Sequence, residues 1–254
     1  DNKKILDKLI KAIENDKLEI HYQPKYDTIS RKIVGAEALL RFRDNHGHMI
    51  SPGIFIPIAE ESGFITVIDN YVFEKVCIDI NKLKEKNIET VPISINLSRK
   101  KLEEGNFVKD YLKIIKENKI SVNDIEIEIT EGTILADNKS IKHSVKELKK
   151  AGFNILVDDF GTGYSSISTL KDLDIDEIKV DRSFITDNSE KSKEIVKYVF
   201  NLATALKVKT TAEGVETKEQ YDMLKKLNCN TIQGYYFSKV ITLIELEILL
   251  ERNK

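Results

Sequence analysis

Residues 154–166 read NILVDDFGTGYSS, a short apolar run that ends in two adjacent aspartates and a glycine-rich turn. Residues 155–157 are typical of a buried strand, and Asp158 and Asp159 place two like charges where that strand leaves the core. Neighbouring carboxylates repel each other and raise each other's pKa values, and a bound cation removes that penalty. The pair therefore indicates metal binding at a strand end.

Strand-like and helix-like segments alternate along almost the whole chain of 254 residues. The predicted strands are residues 18–26, 33–41, 91–97, 125–129, 154–158, 176–181, 208–213 and 231–233. The predicted helices are an amphipathic one near the start and residues 65–86, 107–117, 139–150, 192–206, 218–227 and 243–250. This order favours an α/β fold, a (β/α)8 TIM-type barrel, over an open doubly wound sheet. The turn at residues 28–31 is too short for a parallel crossover, so the first strand is predicted to be antiparallel.

Polar and branched apolar residues alternate within the predicted strands. Residues 125–129 read IEIEI, residues 93–97 read ISINL, and residues 178–181 read IKVD. A period of two puts all the polar side chains of a strand on one face. An antiparallel sheet with one face in water would give the same pattern. Because helices separate most of the strands, we expect the apolar face to pack against helices and the polar face to line the barrel interior.

The last polar residues of these strands form a corresponding set, because chemistry in TIM barrels lies at the C-terminal strand ends. The set consists of Asn96, Glu128, Asp158, Lys179 or Asp181, and Glu213. The candidate ligands Glu37, Asn96, Glu128, Asp158 and Asp159 offer only oxygen donors. Oxygen donors suit Mg²⁺ or Mn²⁺ better than zinc. The sequence therefore predicts a magnesium or manganese site at one end of the barrel.

Composition excludes several classes of protein. The formal net charge of −2 argues against binding of DNA or RNA polymers, which normally requires a basic excess. The apolar runs are too short to span a bilayer. Cys77 and Cys229 show no pairing pattern and are predicted to be buried thiols in a reduced, cytoplasmic setting. His46 and His48 are expected in a solvated loop, and the histidines form no HExxH motif.

Taken in order, the motifs of the chain resemble those of the EAL domain, the cyclic di-GMP phosphodiesterase family, over essentially its full length. The matching segments are YQP at 22–24, EALLR at 37–41, SPGIFIPIAEE at 51–61, INLS at 95–98, EITE at 128–131, DDFGTGYSS at 158–166, IKVD at 178–181, AEGVE at 212–216 and QGYYFSK at 233–239. Val240 replaces the family's usual proline, and Phe42 stands where tryptophan is common; both are packing or turn positions.

The resemblance implies metal-dependent hydrolysis of one phosphodiester bond of cyclic di-GMP, giving linear pGpG. Two Mg²⁺ or Mn²⁺ ions would be held by Glu37, Asn96, Glu128 and Asp158, with Asp159 serving the second ion. Glu213 would be the general base, and Lys179 would orient the attacking water. The residues implied to meet the substrate are Gln23, Leu39, Arg41, Asp181 and Gln233. Supporting roles fall to Glu131, Gly161, Gly163 and Glu216, although Glu216 also suits the first turn of the following helix.

Because the sequence begins with Asp1 rather than Met, residues 1–254 are predicted to be a single domain excised from a longer chain. A parent chain of that kind could carry sensory or GGDEF domains and a membrane anchor, with this domain cytoplasmic and not itself inserted. A homodimer is the expected assembly. Two alternatives stay open: a non-catalytic receptor for cyclic di-GMP, and an unrelated barrel hydrolase acting on another phosphate ester.

Overall fold

Nine strands are present in the part of the chain that the structure, a computed structural model, describes, which is residues 2–44, 46–162, 174–187 and 189–253. They are β1 (Glu19–Asp27), β2 (Ile33–Arg43), β3 (Met49–Ile50), β4 (Ile93–Asn96), β5 (Ile125–Thr130), β6 (Asn154–Phe160), β7 (Glu177–Val180), β8 (Lys209–Ala212) and β9 (Thr231–Ile232). Each of the eight predicted strands is thus found within three residues of its predicted ends.

Eight of these strands close into a barrel. They follow the order β1-β9-β8-β7-β6-β5-β4-β2, and β2 pairs with β1 to complete the ring. β1 runs antiparallel to both of its neighbours, and the other pairs in the ring are parallel. β3 is a short hairpin partner of β2 outside the ring. The predicted TIM-type barrel with an antiparallel first strand is confirmed.

Helices surround this barrel. They are α1 (Asn2–Glu14), α2 (Pro52–Ser62), α3 (Ile65–Glu85), α4 (Arg99–Glu104), α5 (Val108–Glu117), α6 (Glu131–Ile134), α7 (Lys139–Ala151), α8 (Arg182–Thr186), α9 (Glu190–Leu206), α10 (Lys218–Lys226) and α11 (Leu243–Glu251). The sequence did not predict α2, α4, α6 or α8. Prolines at the start and inside α2 obscure its period, and the other three are too short to show one.

The alternation within the strands sorts side chains between two environments. Ile93, Ile95 and Ile127 are at most 1% exposed and belong to the apolar core between barrel and helices. Glu128 and Lys179, from the opposite face of their strands, are buried inside the barrel. The predicted division of apolar outer face and polar interior is confirmed. It is the reason that charged groups converge at the axis of the barrel.

The end of β8 leads into a loop before α10. Thr217 caps that helix: its hydroxyl accepts from the Gln220 amide, and the Gln220 side chain accepts from the Thr217 amide. Because the helix begins at Lys218, both Glu213 and Glu216 lie outside it. The alternative reading of Glu216 as an acidic residue of the first turn is therefore wrong.

Several smaller predictions concern the rest of the chain. Cys77 and Cys229 are free and buried, and burial raises the pKa of each thiol to about 12. His46 and His48 are exposed in the loop before β3. Among the described residues, no helix combines the length and apolarity needed to cross a bilayer.

Candidate active site

The floor of the site consists of Lys25, Ser94, Glu128 and Lys179, contributed by β1, β4, β5 and β7. Glu128 accepts one ammonium hydrogen bond at each oxygen, from Lys25 at Oε1 (2.9 Å) and from Lys179 at Oε2 (2.5 Å). Lys25 also donates to Ser94 Oγ at 2.7 Å. The floor is thus a closed network in which two buried cations share one buried carboxylate.

One wall of the site is built around Glu37 on β2. Its Oε1 accepts from Asn96 Nδ2 at 2.9 Å, and its Oε2 accepts from Gln233 Nε2 at 2.7 Å. Gln233 Nε2 also donates to Gln23 Oε1 at 3.0 Å. Lys179 Nζ lies 3.3 Å from Glu37 Oε2 and connects this wall to the floor.

The rim of the site consists of Asp158, Asp159 and Glu213, whose carboxylate oxygens lie within 4.8 Å of one another. Strict alternation would send Asp159 outward, but β6 carries a bulge between Val157 and Phe160, where its register with β7 shifts. Asp159 there has a φ of 55°, in the left-handed region. The bulge turns both aspartates to the same side, which explains how a period of two accommodates an adjacent pair.

The carboxylates of the site have different proton affinities. Burial alone would raise the pKa of Glu128, but the ammonium groups of Lys179 and Lys25 outweigh it and hold that pKa at about 2. Burial raises the pKa of Glu213 to about 8 and that of Asp158 to about 6, and neighbouring carboxylates add to both shifts. Lys179, 2.6 Å from Glu213 Oε1 and 3.3 Å from Asp158 Oδ1, offsets this only in part. The rim therefore has an excess of negative charge that a cation would stabilise.

The donor set fits divalent ions of the magnesium type. All candidate ligands are carboxylate or amide oxygens, and two of them, on Asp158 and Asp159, already converge at the rim beside Glu213. Gln233 Oε1 is a buried amide oxygen that accepts no hydrogen bond from the residues the structure describes. Such an atom is uncommon in a folded protein and is suited to a ligand within the site. Asp158 and Asp159 on the rim, with Glu37, Asn96 and Glu128 beneath them, are the residues that would hold the ions.

The residues expected to meet the substrate lie around the mouth. Leu39 lies between two cavities of about 260 and 320 Å³, the first also lined by Gln23 and Gln233 and the second by Arg41. Arg41 is half-buried and donates to the Leu40 carbonyl at 3.0 Å.

Asp181 has a different environment. It caps α8 by accepting from the Ser183 amide, and its charge adds to the effect of burial in raising the pKa of Asp159. Asp181 therefore has a structural role next to the rim in addition to the substrate role expected for it.

The supporting residues lie one layer further out. Glu131, buried at the start of α6, accepts from the Gly161 amide at 2.9 Å and so anchors the chain just after the two aspartates. Glu216 pairs with Arg182 at 2.9 Å on the surface. Gly163 lies outside the described residues.

Sequence reasoning missed Lys25 and Ser94. Both could have been found by the alternation that identified the others, because Lys25 shares a strand face with Gln23, and Ser94 shares one with Asn96. A lysine inside a barrel needs a partner of opposite charge, and for Lys25 that partner is Glu128.

Comparisons with known proteins agree with this picture. A family model described as the EAL domain matches residues 6–240. The cyclic di-GMP phosphodiesterase NbdA of Pseudomonas aeruginosa is 32% identical over 246 residues, covering 96% of this chain and 31% of that protein. The bifunctional diguanylate cyclase/cyclic di-GMP phosphodiesterase MucR of the same species is 33% identical over 237 residues, or 92% of this chain and 35% of that protein. The chain thus spans about a third of the length of either relative.

The fold is also similar to that of solved structures. The PaMucR phosphodiesterase in its c-di-GMP complex superposes with a TM-score of 0.91 at 32% identity, covering 96% of this chain and 99% of that one. The likeness covers nearly the whole of both chains.

Proposed function

The chain belongs to the EAL domain family, and from this premise we propose that it hydrolyses one phosphodiester bond of cyclic di-GMP to give linear pGpG. One observation carries the proposal above the others: every residue expected to hold a metal ion or act as base is present, and all lie at one end of the barrel. Relatives over more than nine-tenths of this chain are named as cyclic di-GMP phosphodiesterases.

Electrostatics supports a requirement for divalent ions. The site combines five carboxylates, on Glu37, Glu128, Asp158, Asp159 and Glu213, with two ammonium groups, on Lys25 and Lys179, a formal charge of −3 when all are ionised. An anionic phosphodiester would be repelled by that charge. Two divalent ions reverse its sign, and when bound they supply Lewis acidity and lower the pKa of water.

The protein's own groups divide the remaining work. Glu213 is the group that would accept the proton of the attacking water. In the metal-free site burial raises its pKa to about 8, so the carboxyl holds a proton at neutral pH; bound cations would lower that pKa and leave the carboxylate free to act as the base. Lys179, hydrogen-bonded or ion-paired to the floor and the rim, holds the water and offsets charge that develops on the phosphoryl oxygens. The water oxygen bonds to phosphorus as the bond between phosphorus and the 3′ oxygen breaks. The 3′ oxygen takes a proton from solvent, and Glu213 releases to solvent the proton that it accepted. Arg41 and Gln23 hold the substrate at the mouth.

A turnover assay tests the proposal. The protein is incubated with cyclic di-GMP and Mn²⁺ or Mg²⁺, with and without EDTA, and the products are separated by chromatography. We expect pGpG that forms only with metal and disappears with EDTA. Tight binding of cyclic di-GMP without turnover would favour a receptor instead, and absence of binding would favour a barrel hydrolase of another specificity.

We extend the proposal to assembly: the domain acts as a homodimer within a longer protein that carries other domains. The longer protein is supported by the relatives named above, which are about three times as long, and one of which, MucR, is named as bifunctional. The homodimer follows only from the family resemblance. Light scattering on the purified domain measures the first part; a monomer at micromolar concentration would contradict it.

A further inference from the structure

Lys25 is a buried lysine on β1, the one strand of the ring that runs against its neighbours. The residue is 3% exposed, and its ammonium reaches two acceptors, Glu128 Oε1 at 2.9 Å and Ser94 Oγ at 2.7 Å. Burying an ammonium group is unfavourable unless the charge is paired and hydrogen-bonded. Lys25 and Glu128 therefore hold each other in position.

The stem of Lys25 packs against Gly35 of β2. Lys25 lies opposite Gly35 in the register of β1 and β2. A β-carbon added at Gly35 would lie 3.5 Å from Lys25 Cδ, in contact with the lysine stem. The stem thus lies over a residue without a side chain and crosses the barrel interior towards β4 and β5. Ser94, 0% exposed, completes the contact from β4.

The two oxygens of Glu128 consequently have different surroundings. Oε1 pairs with Lys25, which also donates to Ser94, whereas Oε2 pairs with Lys179, which also contacts Asp158 and Glu213. A carboxylate anchored at one oxygen cannot rotate freely about its last torsion. The other oxygen is thereby held towards the centre of the site.

We propose that Lys25, supported by Ser94, is a positioning residue that fixes Glu128 so that one oxygen is presented to a divalent cation. The inference rests on the proposed function, because it assigns Lys25 a part in the metal site of that reaction. Partners that orient a metal ligand from behind commonly change metal affinity by about 10- to 100-fold when removed. Lys25 touches neither substrate nor reacting atoms and is not a catalytic residue.

Lys25 has two effects on metal binding, and these effects have opposite signs. As a positive charge near the site, Lys25 repels a cation, so removing it would strengthen binding. As an anchor for Glu128, it aligns a ligand, so removing it would weaken binding. The sign of the change in Mn²⁺ affinity separates the two.

The test measures Mn²⁺ binding directly, by calorimetry and by the loss of the free Mn²⁺ electron paramagnetic resonance signal. Lys25→Met keeps the stem and removes the charge, and we expect its Mn²⁺ affinity to fall about tenfold or more. Ser94→Ala should weaken binding in the same direction by a smaller factor. The double variant should be little worse than Lys25→Met alone, because the two residues act through one contact.

Lys101→Met is the matched control. Lys101 is 5% exposed and pairs with Glu104 at 2.7 Å on α4, so its loss removes a similarly buried lysine that does not contact Glu128. Its Mn²⁺ affinity should equal that of the unsubstituted protein. In turnover, Lys25→Met should need more Mn²⁺ for half-maximal rate, with the KM for cyclic di-GMP unchanged.

Unchanged or tighter Mn²⁺ binding by folded Lys25→Met would overturn the inference. Should that variant not fold, Ser94→Ala decides: binding within twofold of the unsubstituted protein would overturn it. Failure of the proposed function looks different, because the unsubstituted protein would then bind no Mn²⁺ or show no turnover.

Discussion

The floor and the rim of the site place carboxylates a few ångströms apart in opposite electrostatic environments. On the floor, Glu128 is enclosed between two ammonium groups, and its pKa of about 2 keeps it ionised at any physiological pH. On the rim, Glu213 and Asp158 share one of those ammonium groups with each other and with Glu37, and their pKa values are raised to about 8 and 6. Lys179 thus completes the charge pairing of Glu128 on the floor but does not balance the negative charge of Asp158 and Glu213 on the rim.

The difference shows how a buried polar site can be stable and still bind ions. A fully paired network such as the floor holds its geometry because each member has its partners. The rim has more negative charge than Lys179 can balance, so it gains most from a divalent ion. We expect substitutions on the floor to affect folding and substitutions on the rim to affect chemistry.

The largest expected effect contrasts Asp158→Asn with Glu128→Gln. Both should lower kcat/KM about a thousandfold or more, because each removes a charged metal ligand. Only Glu128→Gln should also destabilise the fold, by about 3 kcal/mol, because it leaves Lys25 and Lys179 without their shared partner. Turnover assays and urea unfolding measure the two quantities.

Glu37→Ala and the exposed Asp137→Asn complete that comparison. Glu37→Ala should abolish turnover, and because Glu37 is buried and accepts from Asn96 and Gln233, it should also lower the free energy of unfolding. Asp137→Asn should change neither quantity. Near-normal activity of Asp158→Asn or Glu37→Ala would show that the metal assignment is wrong. Equal stability of Glu128→Gln and Asp158→Asn would remove the distinction between floor and rim.

A second prediction compares two glutamates three residues apart on one loop. Glu213→Gln should lower kcat about a hundredfold at saturating metal, because it removes the base. Glu216→Gln should lower it only a few-fold, since Glu216 pairs with Arg182 at the surface. Steady-state kinetics with Mn²⁺ in excess measures both. Equal losses in the two variants would mean that Glu213 has no special part in proton transfer.

A third prediction concerns Asp69 on α3, a buried carboxylate outside the floor and the rim that accepts a hydrogen bond from the Ser98 hydroxyl. Burial raises its pKa from 3.8 to about 7, with the hydrogen bonds from Ser98 opposing the shift. The folded protein therefore retains a proton that the unfolded chain has lost, and the free energy of unfolding falls as pH rises from about 4 to about 7.

Asp69→Asn should remove about 2 kcal/mol of that decline, roughly half of the full shift, because buried carboxyls gain hydration as they ionise. Urea unfolding at several pH values measures it. Asp110→Asn, at an exposed position on α5, is the control and should keep the decline. Parallel pH profiles for Asp69→Asn and the unsubstituted protein would contradict the prediction.

Much of this comparison was accessible from the sequence. A period of two in the strands predicted which side chains face the barrel axis, and strand order predicted that Asn96, Glu128, Asp158 and Lys179 meet at one end. The ends of α3, α5 and α7 were predicted within one residue because each has an apolar face of helical period.

Two features needed the structure. The first is which charged groups pair with each other. The ammonium of Lys179 contacts four carboxylates, and two of these, on Glu37 and Glu213, lie 176 residues apart in the sequence. The second is the bulge in β6. An aspartate pair is compatible with a straight strand end, so the left-handed conformation of Asp159 has no signal in residue type alone.

That conformation gives the smallest and most specific prediction. Asp159→Asn and Asp159→Ala each remove the carboxylate, so they should lose activity alike and gain equally from reduced repulsion on the rim. They differ in backbone preference, because asparagine adopts a φ near 55° readily and alanine does not. The free energy of unfolding of Asp159→Ala should therefore be about 1 kcal/mol lower than that of Asp159→Asn.

Urea unfolding of the two variants measures that difference, and the free energy of unfolding of Asp159→Gly is expected to match or exceed that of the asparagine variant. Identical stabilities would mean that Asp159 is not held in the left-handed region, and the account of how both aspartates reach the rim would then fail.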